Sequence, residues 1–227
     1  MTKTSIFFVI LLSIVAGKTP AQNCTYYFPS EVGSELSYTY CSKPGKVESS
    51  SKLVIANKTV SNGRTTIDIA SEIFDAKGKS ELKFNYTAWC DGDNFFIDMR
   101  SALASMNLKE LGELKITTAD LEFPSNMSPG QKLKDASIKL SMEGPIPMGM
   151  STKITNRMVE GIEKITTPAG TFDCVKISYD MFSVASIIKT EGHAVEWYAP
   201  DVGLVKSETY NKKNKLLGIN ELTSIKR

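Results

Sequence analysis

The chain has 227 residues, 41% hydrophobic and 23% charged, with 27 basic against 25 acidic side chains. That near balance, together with arginines only at Arg64, Arg100, Arg157 and Arg227, excludes the clustered basic surface that nucleic-acid binding demands. A single histidine, His193, excludes every multi-histidine zinc site.

Met1-Thr2-Lys3 precedes an apolar run over residues 6–15 and then Gly17-Lys18-Thr19-Pro20-Ala21. A basic start, a short apolar stretch and small residues at the exit have the form of a cleavable export signal, too short to stay as a membrane anchor. Cleavage of residues 1–21 is expected, leaving residues 22–227 as one β-rich domain with 25 basic and 25 acidic residues. Cys24 follows Ala21-Gln22-Asn23 and not the Leu and small residues that precede an acylated cysteine, so no lipid is expected on it. No later stretch reaches the roughly 20 apolar residues of a transmembrane helix. In an oxidising compartment the four cysteines are disulfide candidates with three pairings. Cys24 and Cys90, each near a strand end where a terminal segment would otherwise fray, are the expected pair, leaving Cys41 and Cys174 to pair or remain thiols.

Along the mature chain, Leu36, Tyr38 and Tyr40 alternate with Glu35, Ser37 and Thr39, and Leu82, Phe84 and Tyr86 alternate with Glu81, Lys83 and Asn85. Period two with one polar parity predicts sheet with one wet face. Ile67, Ile69 and Ile73 repeat the pattern, as do Phe95, Ile97 and Met99. The stretches Tyr40-Cys41-Ser42-Lys43-Pro44-Gly45-Lys46, Phe74-Asp75-Ala76-Lys77-Gly78-Lys79 and Tyr210-Asn211-Lys212-Lys213-Asn214-Lys215 each end an aromatic strand with Gly or Asn before Lys. They predict three hairpins of one type. Asp91-Gly92-Asp93-Asn94 predicts a fourth turn; it lacks the downstream Gly and Glu of a calcium loop.

Residues 101–114 are the one helical candidate, with Leu103, Met106, Leu111 and Leu114 on a common face. Residues 142–150, rich in Gly, Pro and Met, predict a loop or bulged strand. Further strands are expected over 137–142, 152–161, 171–179, 194–198, 204–210 and 216–225.

Three constellations bear on chemistry. No G-x-S-x-G elbow or H-x-x-x-H spacing accompanies His193, so nucleophilic and zinc hydrolysis lack their parts. Asp and Glu fall on polar parities, where solvated surface accounts for them; two-carboxylate hydrolysis stands as the third-ranked function. Met142, Met148 and Met150 are soft thioethers that suit copper(I), but an adaptable apolar surface is the commoner use. No cofactor or metal is expected, and no enzyme activity.

The second half carries a resemblance. Ile154-Thr155-Asn156-Arg157, Val159-Glu160-Gly161, Thr166-Thr167-Pro168-Ala169-Gly170-Thr171-Phe172-Asp173-Cys174 and Glu196-Trp197-Tyr198-Ala199-Pro200-Asp201-Val202-Gly203-Leu204-Val205-Lys206, with Leu121-Glu122-Phe123-Pro124-Ser125-Asn126 upstream, resemble exported proteins of Bacteroides and relatives grouped as domain of unknown function 3108. The resemblance implies a periplasmic or secreted β-rich domain and brings no catalytic residues with it.

The expected fold is therefore all-β, an antiparallel meander curled into an open barrel or clamp with one short helix; a two-sheet sandwich is the alternative. A helix of about 14 residues is only about 21 Å long, while ten strands span about 48 Å. The sheet must curl on itself or leave a groove. Such a groove would be lined by Tyr38 and Phe84 and lined or gated by Met142, Met148 and Met150, and would take an apolar or lipid-like ligand. The alternative function is a structural or protein-interaction component of the bacterial envelope, its sheet face meeting an envelope protein.

Overall fold

The computed structural model describes residues 24–43, 45–101, 113–143 and 148–227; the expected leader and Leu103, Met106 and Leu111 lie outside these. Thirteen strands follow in order: β1 (Glu35–Lys43), β2 (Lys46–Ser61), β3 (Arg64–Asp75), β4 (Ser80–Asp91), β5 (Asn94–Ile97), β6 (Glu113–Ala119), β7 (Leu121–Pro124), β8 (Ala136–Glu143), β9 (Met148–Thr167), β10 (Gly170–Ala185), β11 (Ile188–Ala199), β12 (Gly203–Asn211) and β13 (Leu216–Lys226). They make one antiparallel sheet ordered β6-β8-β9-β10-β11-β12-β13-β1-β2-β3-β4-β5-β7. The meander is a direct consequence of short turns, which can join only antiparallel neighbours.

Two of the three lysine-bearing turns share one design. The Asp75 carboxylate accepts the amides of Lys77 and Lys79, and the Asn211 side-chain oxygen accepts those of Lys213 and Lys215. Each loop closes on a positive-φ residue, Gly78 or Asn214. The first turn departs from this expectation: Lys43 pairs directly with Lys46, a two-residue connection. The helical expectation is also corrected in part. A helix begins at Met99, with Ser101 accepted into an Asp98 cap, whereas Glu113 and Leu114 open β6.

The sheet curls until its ends meet. β6 and β7, the two terminal strands, are successive pieces of one stretch that changes partners at Asp120. Backbone pairing leaves one seam there, and side chains cross it. Arg157, from β9, is 2% exposed; its Nη1 donates to the carbonyls of Glu122 (3.1 Å) and Lys134 (2.8 Å). Arg100 donates to the Ile116 carbonyl at 2.8 Å, and the Met99 amide donates to the Asp120 carboxylate at 3.1 Å.

At the lower end, where β2–β3, β4–β5, β9–β10 and β11–β12 turn, the N-terminal segment is packed inside. Tyr27 is buried against Phe95, Phe123 and Tyr198, with Phe123 and Tyr198 centroids 4.9 Å apart. Cys24 is disulfide-bonded to Cys90 with Cα atoms 5.9 Å apart. The segment crosses the β11–β12 turn so closely that a Cβ on Gly203 would stand 2.8 Å from the Tyr27 carbonyl oxygen, at a φ of +101°. Only glycine suits both conditions. A second buried cluster gathers Leu36, Tyr38, Cys174, Trp197, Val205 and Leu222. Cys41 and Cys174 are free thiols.

Candidate functional site: an apolar cavity at the upper end

The upper end, where β1–β2, β3–β4, β10–β11 and β12–β13 turn, has no such plug among the described residues. A cavity of about 380 Å³ opens there, walled by Phe28, Leu53, Ile73, Phe84, Tyr86 and Ile138. Ile97, Asp98 and Met99 close one side as the helix begins. Strand register makes this wall. Leu53, Ser71 and Phe84 are cross-strand partners, as are Ser51 and Ile73, so lateral rows on β2, β3 and β4 face the same space. Phe84 stacks on Tyr86 at 6.0 Å, and Phe28 meets Tyr86 edge-on, which joins the cavity floor to the lower plug. Its volume falls within the roughly 300–1,000 Å³ of small-molecule sites, whose walls are mostly apolar. A larger depression, about 570 Å³, lies beside Ala56, Asp68, Asn85, Thr87 and Ser101. Ile69, Ala70 and Tyr86 also line it, so its wall mixes apolar side chains with the polar Asp68, Asn85, Thr87 and Ser101.

The residues expected to line a groove are separated. Phe84 is in the cavity wall. Tyr38 is buried next to it: its hydroxyl has no hydrogen-bond partner among the described residues, and burial raises its pKa far above the ordinary tyrosine value, with Tyr86 adding to the rise. Met150 lies elsewhere, in a shallow depression with Leu140, Val184 and Ile187. The side chains of Met142 and Met148 lie outside the described part of the chain. Leu53, Ile73, Tyr86 and Ile138 escaped the sequence reading although they sit on apolar parities, because parity identifies a face and not the height along it at which the face is uncovered.

A polar cluster sits on the core side of β9–β11. Tyr179 and Tyr198 each donate a hydroxyl hydrogen bond of 2.8 Å to the Glu196 carboxylate. Burial raises the Glu196 carboxyl pKa, against the opposing effect of the two phenols and of Arg157. A raised carboxyl beside two phenols has the make-up of an acid catalyst. Glu196 lines none of the cavities described above, however, so its neighbours hold it as part of the frame. His193 stacks on Tyr210 at 4.7 Å with 5° between planes. Trp197 lies between the Lys176 and Lys206 ammonium groups, 5.5 and 5.3 Å from its ring, and donates to Glu163.

A curled antiparallel sheet, plugged at one end by its own N-terminal segment and carrying an open apolar pocket among the described residues at the other, defines a nearly closed β-barrel with one seam. Within that class the chain belongs to the DUF3108-like family, whose model matches residues 31–222. Its structure is similar to that of a Bacteroides fragilis NCTC 9343 protein described as exported and of YmcC-like fold, with TM-score 0.75 and 24% identity over 90% of this chain and 100% of that one. It is equally similar to a Parabacteroides distasonis ATCC 8503 protein described as a lipoprotein, with TM-score 0.76 and 25% identity over the same shares. No curated protein matches the chain.

Proposed function

We propose that this is an exported, non-enzymatic binding protein of the bacterial envelope, periplasmic or secreted after loss of residues 1–21, that holds an apolar or lipid-like molecule in the upper cavity. The observation that carries the reading is the opening in an otherwise packed barrel: Phe28, Leu53, Ile73, Phe84 and Ile138 wall a space that the described side chains leave unfilled. Exposed contiguous apolar surface costs a soluble protein unless a ligand or partner covers it. The likeness to proteins described as exported and as a lipoprotein supports the envelope assignment. In this chain the Cys24 sulfur is bonded to Cys90, and a sulfur in a disulfide cannot also carry a diacylglyceryl thioether.

The test is titration of the purified mature protein with an environment-sensitive apolar dye, with native mass spectrometry of protein taken from its own host. Saturable binding is expected, and loss of it in Ile73→Asp and Phe84→Asp variants that keep the wild-type circular dichroism. No saturable binding by the wild type, with no lipid-sized adduct, would overturn the reading and leave the protein-interaction role.

A further inference from the structure

Strands β8–β11, with β6 beside them, outrun β12 at the upper end. The last pair joining β11 to β12 is Gly192–Asn211, while β10 and β11 continue to Ala185–Ile188. Four further residues at about 3.3 Å each project the hairpin about 13 Å past that point. β8 and β9 rise alongside as far as Met142–Met148. This tongue has two chemically different faces. Ala136, Ile138 and Ile154, buried lower down, belong to the face that continues through the laterally paired Leu140, Met150, Ala185 and Ile188. Ile138 also walls the cavity, so an apolar track runs along β8 through Leu140 toward the tip, while the hydrogen-bonded Thr152 and Ser183 make the row between polar on β9 and β10. At the tip Ile187 is 91% and Ile188 68% exposed.

The opposite face is basic. Lys139 and Lys189 share a lateral row with Ser151 and Val184; Lys153 lies one row below and Lys115 one row above. All four are exposed, and among the described residues no ion pair engages them. The one described acid in these rows, Glu191, lies 3.8 Å from Lys212.

We infer that the tongue docks on an anionic lipid bilayer, with Ile187 and Ile188 entering the acyl boundary and the lysines meeting headgroups. Exposed large apolar side chains flanked by unpaired cations are the combination that holds a peripheral element on anionic membranes. An apolar protein surface would account for the isoleucines but not for the basic side chains beside them. Docking would place the cavity mouth and its apolar track at the lipid surface. The inference goes beyond the binding reading, since it concerns where the protein works, and it stands or falls separately.

The experiment is co-sedimentation of the mature protein with vesicles of phosphatidylglycerol and phosphatidylcholine, or of phosphatidylcholine alone. Binding to the anionic vesicles is expected, weakened by added salt. The Ile187→Ser/Ile188→Ser variant should bind about tenfold or more weakly, and Lys139→Glu/Lys189→Glu should lose binding to a similar degree. Both should keep wild-type circular dichroism. Absence of vesicle binding, equal binding to both lipids, or binding unchanged by the isoleucine variant would overturn the inference. Self-association without lipid that those variants abolish would also overturn it, by giving the tip to a second copy. Dye binding without vesicle binding removes docking and keeps the cavity reading; vesicle binding without dye binding does the reverse.

Discussion

At the lower end of the barrel Tyr27, Phe95, Phe123 and Tyr198 fill the lumen with rings 4.9–6.3 Å apart, and a disulfide fastens the segment that brings Tyr27 there. At the upper end the same curled sheet presents Phe84, Ile73 and Ile138 to an open space. The wall is made alike at both ends, by apolar residues two apart on paired strands. What differs is whether the chain supplies something to put inside. The N-terminal segment fills one end; at the other, no described segment enters the barrel.

Substitutions of one kind at the two ends should separate these roles most clearly. Phe123→Ala in the plug should cost about 3–5 kcal/mol of unfolding free energy in urea titration. Loss of less than about 1 kcal/mol would mean that the plug is not the structural centre. Opening the disulfide with Cys24→Ser/Cys90→Ser should cost about 4 kcal/mol on the chain-entropy estimate for two cysteines 66 residues apart. Its effect should be independent of dye binding at the other end. At the seam, Arg157→Met strands the Glu122 and Lys134 carbonyls and should cost about 1.5–3 kcal/mol. Hydrogen exchange would show the loss first in β7 and residues 130–134.

Glu196 gives a pH test. Its raised carboxyl pKa means the folded protein holds that proton more tightly than the unfolded chain. The associated stability is present at acidic pH and is lost as pH rises through the raised value. Glu196→Gln does not titrate, so the stability difference should shift in favour of the variant as pH rises from the ordinary carboxylate range through the raised value. A pH-independent difference would contradict the raised pKa. The smallest stability effect belongs to Phe84→Ala, about 1 kcal/mol for a ring only partly buried, although dye affinity should fall markedly.

Much of this architecture is legible in the sequence because burial on one face writes itself as alternation. Leu36, Tyr38, Ile67, Ile69, Phe84 and Tyr86 announce β1, β3 and β4, and Asp75 and Asn211 announce their turns through side chains that mimic backbone. The upper parts of β9 and β10 are silent for a physical reason. Ser151-Thr152-Lys153 and Ser183-Val184-Ala185-Ser186 hold no alternating run of large apolar residues, so the tongue extends well past the strands expected at 152–161 and 171–179. Nor does alternation show that β7 returns to β5 while β6 pairs with β8, since strand order depends on which distant faces meet. Arg157 reads as one more dispersed charge, yet the fold buries it across the seam. The shortage of covering helix leaves two outcomes open in the sequence, a sheet curled on itself or a groove, and the lining of any pocket depends on where along each face the plug stops.

The stretch from Glu113 to Pro124 has a further consequence. An open sheet of thirteen strands would have two unpaired edges, each a template on which another chain's strand can add. Here both edges belong to a single stretch, broken at Asp120, and each half is turned toward the other side of the same molecule. The hazard of edge-to-edge aggregation is thereby confined to about a dozen residues, guarded by the arginines that reach Ile116 and Glu122. A chain caught before Arg100 and Arg157 engage would carry both edges bare, and that partly folded species is where self-association during folding would begin.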